Sequence, residues 1–96
     1  MQIELISLLM VHFLCNASAQ EGPLNMDAAL FCSSNFERVK VALHPTLSLE
    51  AYDQMTTEER VEISVEGYAY YKAWLQENPD LSEQFRLSAT VVMTNW

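Results

Sequence analysis

Glycine is nearly absent from this chain: Gly22 and Gly67 are the only two in 96 residues. Two isolated glycines cannot build a phosphate-cradling loop of the Walker or dinucleotide type, which needs several within one short turn. No nucleophile elbow and no zincin helix occurs either. His12 and His44 are the only imidazoles, and Cys15 and Cys32 the only thiols. A Cys32–His44 pair could be drawn as nucleophile and base, but nothing in the sequence brings them together or supplies an orienting third group. His44, Glu50 and Asp53 lack metal-ligand spacing. The expectation is a protein that is not an enzyme, with no catalytic residue, no metal site and no cofactor.

Positive charge is also scarce. Five Lys and Arg stand against thirteen Asp and Glu, a net charge of −8. Direct nucleic-acid binding is disfavoured, because that affinity comes from Lys and Arg displacing counterions. A basic protein surface is the complementary partner, since opposite fields raise encounter rates and suppress wrong ones. The plain alternative is that the acidity only keeps a small protein soluble. Half the residues are hydrophobic, so the composition is globular rather than disordered.

The apolar run Leu5–Cys15, broken by Ser7 and His12 and followed by Ala17-Ser18-Ala19, has the shape of a secretory h-region with cleavage before Gln20. Against that, Met1-Gln2-Ile3-Glu4 carries no Lys or Arg. Residues 1–19 therefore read as a signal peptide or as an N-terminal core element, and residues 20–96 as a single small globular domain. The run falls short of the roughly twenty residues of a stable membrane span. Cleavage makes the protein exported or periplasmic; retention makes it cytoplasmic. Cleavage also leaves Cys32 alone, whereas retention permits a Cys15–Cys32 pair or two reduced thiols.

Past the Gly22-Pro23 break, Asn25 is placed to cap a helix, and Ala29, Cys32, Phe36, Val39 and Leu43 share one helical face until Pro45 stops it. The end of that segment also alternates, so a helix followed by a short strand stays open. Thr56-Thr57-Glu58-Glu59 is a capping box, and the run to Glu77 ends at Asn78-Pro79. Val61, Val65, Tyr68, Tyr71 and Leu75 form one stripe on it; Ile63, Gly67, Tyr70 and Trp74 form a second. Two stripes imply burial over much of the circumference. Alternation of Val61, Ile63 and Val65 with polar residues supports a competing strand over 60–66. Asp80-Leu81-Ser82-Glu83 repeats the cap pattern. Beyond it the β-branched Thr90-Val91-Val92 favours a strand at 85–93, while Leu81, Phe85, Ala89, Val92 and Trp96 fit helical steps. The expected fold is mainly α, a small helical domain around a central helix 57–77, with α+β as the alternative.

Two features point to binding. Glu58, Glu62 and Glu66 recur at four-residue steps and stack into one negative ridge, near Asp53 and with Arg60 as the one opposing charge. Like charges at that spacing weaken their own helix by a few tenths of a kcal/mol per pair. Tyr68, Tyr70, Tyr71 and Trp74 cannot all face inward; Tyr70 is the better surface anchor and the other three suit the core. Ala69 and Ala73 leave a small-residue groove that suits helix contact within the fold or a homodimer. The function expected is a non-enzymatic acidic protein-binding module that masks a basic partner surface, as inhibitors, immunity proteins and antitoxins do by analogy of size and charge. The second reading is an exported periplasmic or envelope-associated structural domain.

Overall fold

The computed structural model describes residues 3–94. Met1, Gln2 and Trp96, the ends of the leader and of the last helical stripe, lie outside them. Five helices follow in order: α1 Ile3–Glu21, α2 Met26–Leu43, α3 Leu49–Asp53, α4 Thr57–Glu77 and α5 Pro79–Thr94. Among the described residues there is no strand, so the alternatives at the end of α2, at 60–66 and at 85–93 are all replaced by helix.

Capping chemistry sets most of the boundaries. The Asn25 side chain accepts from the Ala28 amide at 2.8 Å to open α2. Thr56 accepts from the Glu59 amide at 3.2 Å while the Glu59 carboxylate accepts from the Thr56 amide at 3.0 Å. The bond from the Thr56 amide, joined by one from the Thr56 side chain, holds the Glu59 carboxyl below its ordinary pKa. At α5 the sequence placed the cap two residues late. The Asn78 carbonyl already accepts from the Ser82 amide, and Pro79, with its fixed φ and no amide hydrogen, occupies the first helical position. Inside α5 the Thr90 hydroxyl donates to the Arg86 carbonyl at 3.0 Å, one way a β-branched hydroxyl residue is accommodated in a helix.

α1 packs against α2 and α5, and α2 is shared between α1 and α4. The core is Leu9 and Phe13 of α1, Val39 of α2, Trp74 of α4 and Ala89 of α5, with Phe36, Tyr71 and Phe85 packed around it. Phe13 and Phe85 stack at 5.7 Å. Asn35 is buried but satisfied, donating to the Leu8 carbonyl at 3.0 Å. A disulfide joins Cys15 to Cys32, fastening α1 to α2. α1 extends well past the apolar run read from sequence. Among the described residues it is the one helix long and apolar enough, by length and composition, to cross a bilayer.

α4 is less enclosed than its two stripes implied. Only Gly67 and Trp74 are buried on it, and the upper half of the first stripe faces outward. Gly67 is the point of closest approach to α2. A β-carbon there would stand 2.7 Å from the Lys40 β-carbon and 3.2 Å from the Lys40 carbonyl oxygen. Lys40, in the last turn of α2, is itself only 6% exposed. Its ammonium donates to Glu37 at 2.7 Å and to Ser64 at 2.6 Å, and lies over the Phe36 ring. The close contact between the two helices thus encloses a satisfied charge rather than an apolar pair.

Candidate protein-binding face

Helical spacing places Glu58, Glu62 and Glu66 on one side of α4, and all three are exposed. What stands opposite them depends on where the five cations go. Arg60 turns inward, donating to the Tyr52 and Asp53 carbonyls at 3.2 and 3.0 Å and lying over the Tyr52 ring. It thereby satisfies carbonyls at the end of α3, where a cation is favoured. Arg38 pairs with Asp53 at 3.1 Å, Lys40 with Glu37 and Arg86 with Glu83. Lys72 lies over Tyr68, 5.5 Å from the ring centre. Among the described residues no cation pairs with Glu58 or Glu62. Glu66 meets His44, with Oε2 and Nε2 3.2 Å apart.

The residues singled out from sequence are therefore only partly brought together. Glu58 and Glu62 form the open part of the ridge. Glu66 continues it but is shared with His44. Asp53 belongs to a separate contact with α2 through Arg38. Tyr70 is 39% exposed and packs edge-on to His44 at 5.1 Å. Tyr68, expected in the core, is 49% exposed; its ring leans edge-on against Phe36 at the rim of the core. Ala69 and Ala73 are exposed, so no helix of this fold uses that small-residue groove.

Two features of this face were not singled out from sequence. Val61 and Val65 are 59% and 72% exposed, and Tyr68 continues their line. Beside them an open groove of about 320 Å³ is lined by Glu37, Tyr52, Thr57, Arg60, Val61, Ser64 and Val65. The 3.6-residue period did reveal the stripe, but periodicity alone does not say whether a stripe meets a neighbour.

The remaining candidate chemistry is dispersed. Cys32 is in the disulfide, and His44 lies twelve positions further along α2, roughly 18 Å away at helical rise. His12 is buried in the core, stacked on Phe36 with ring centres 4.7 Å apart. Burial pushes its pKa down and that of Tyr71 up. The Tyr71 hydroxyl and Nε2 of the His12 ring share a hydrogen bond of 2.8 Å. No protein-family model matches the chain, and no curated protein and no solved structure matches it.

Proposed function

We propose that this is a non-enzymatic binding protein whose α4 outer face covers a basic surface of a partner protein. The observation that carries the reading is the disposition of charge around α4. Three exposed carboxylates share one side of the helix, among the described residues no Lys or Arg pairs with them, and Arg60 on the same helix is committed to the α3 carbonyls. Glu58 and Glu62 keep their repulsion with no Lys or Arg to offset it, Glu66 meeting only His44, and a cationic partner relieves that cost. The test is Glu58→Gln/Glu62→Gln/Glu66→Gln against a charge-matched control, Glu21→Gln/Asp27→Asn/Glu77→Gln, titrated with a lysine-rich peptide over a range of salt. The ridge variant is expected to lose affinity and flatten the salt dependence more than the control. Equal losses would mean that only the net charge matters.

A second reading is favoured by the Cys15–Cys32 disulfide. Such bonds persist in oxidising compartments, which supports an exported or envelope-associated setting. In that setting α1 is retained as a core element, because the bond fastens it to α2, so this reading departs from the expected link between retention and the cytoplasm. The intact mass of the protein from native-like envelope and cytosol fractions, run with and without reductant, tests this. A chain beginning at Gln20 would refute retention, and free thiols would refute the oxidising setting.

A further inference from the structure

We propose that the outer face of α4 is the docking site of a basic amphipathic helix. The apolar stripe of the incoming helix seats on Val61, Val65 and Tyr68, and its Lys or Arg side chains meet Glu58, Glu62 and Glu66. This rests on the acidic-face reading above and deepens it by naming the kind of element that binds.

Three observations converge. Val61, Val65 and Tyr68 follow the four-then-three spacing of a single helical stripe, and they are 59%, 72% and 49% exposed. Tyr68 leans on Phe36 and carries Lys72 over its ring at one end of the stripe, while Val61 and Val65 present an exposed apolar pair of the kind that helix-in-groove recognition uses. The groove beside it, walled by Tyr52, Val61 and Val65, has room for an anchoring side chain. The acidic ridge then lies directly next to the stripe, one step around the helix, so apolar and negative bands run parallel over two turns.

Charge chooses the occupant. A second copy of this chain also carries −8, and pairing α4 with α4 would bring two acidic ridges together. An anionic lipid surface is repelled for the same reason. A helix with an apolar stripe flanked by cations matches both bands at once.

The experiment uses the full, disulfide-bonded chain and two fluorescently labelled Leu/Lys peptides of equal composition. One places Leu at helical i, i+3, i+4 and i+7 spacing; the other is scrambled. The amphipathic peptide is expected to bind about tenfold more tightly, and Val61→Ser/Val65→Ser is expected to abolish that preference while leaving the scrambled peptide unchanged. Both substitutions are at exposed positions, so the variant keeps its fold, which circular dichroism checks. If the two peptides bind alike and only the glutamate variants weaken them, the stripe is not a docking site and the acidic-face reading stands alone. Should the preference persist in the serine variant, docking lies elsewhere and the proposal fails. If neither the serine nor the glutamate variants change anything, both readings fall.

Discussion

Gly67→Ala tests the packing of α4 on α2 through the sign of its effect. In an open helix position, exchanging glycine for alanine stabilises by about 1 kcal/mol, because alanine loses less backbone entropy on folding. At position 67 the new methyl would sit 2.7 Å from the Lys40 β-carbon and 3.2 and 3.3 Å from the Lys40 carbonyl oxygen and carbon. Carbon atoms pack at about 3.5–4.0 Å, so the helices must separate by roughly 1 Å where they cross. Lys40 cannot yield by changing rotamer, since the contact is with its β-carbon and backbone. Overpacking of this kind costs about 1–3 kcal/mol, and separation also loosens the Lys40–Ser64 bond. The net expectation is a loss of about 1 kcal/mol, a fall of roughly 4–8 °C in Tm for a domain this size. Gly22→Ala is the control. No atom lies within 4 Å of its added methyl, and Gly22 does not have a positive φ. It is expected to be neutral or to stabilise by about 0.5 kcal/mol. Thermal and urea denaturation followed by circular dichroism read both. A Gly67→Ala protein more stable than its parent would refute the close approach of α2 and α4.

Other expectations follow from the same contacts. Cys15→Ser, or reduction of the native bond, should cost about 3 kcal/mol, given a separation of 17 residues; Tm with and without reductant measures it, and no shift would refute the bond. Glu37→Ala should destabilise by about 2 kcal/mol, because it leaves the Lys40 ammonium buried without a counter-charge, whereas Lys40→Met should cost less since Glu37 then turns to solvent. Equal losses in urea titrations would contradict that asymmetry. His12 supplies a pH dependence of definite sign. Its folded pKa lies below the unfolded value of about 6.5, so its contribution is complete above that pH and is lost as pH falls towards the folded value. Stability measured at pH 7.5 and 5.5 should fall in the parent and fall less in His12→Gln; identical slopes would mean that His12 is not buried neutral.

Local signals in the sequence carried the fold further than the site. Asn25, Thr56 with Glu59, Pro45 and Asn78-Pro79 each act through their own backbone neighbourhood, so their helix boundaries were legible without tertiary knowledge. Alternation at 60–66 and 85–93 kept a strand open as the alternative because period two and period 3.6 overlap over short spans. In Val61-Ile63-Val65 the alternating apolar positions fall on different sides of the helix: Val61 and Val65 are exposed and Ile63 half-buried. The ridge was legible because i, i+4 spacing alone creates it. The inward turn of Arg60, the pairing of Asp53 with Arg38 and the burial of Lys40 were not, because each depends on another element crossing at that point. Cysteine count permitted a Cys15–Cys32 bond but could not select it, since selection required α1 and α2 to lie side by side.

On the proposed function, basic partners engage the outer face of α4 and not the acidic surface at large. Backbone amide chemical shifts of the disulfide-bonded protein, recorded during titration with the amphipathic Leu/Lys peptide, test this most directly. Saturable shifts confined to residues 58–69 and the neighbouring Tyr52 are expected. Shifts spread evenly over Glu21, Asp27, Glu77, Asp80 and Glu83, or centred on them, would contradict it.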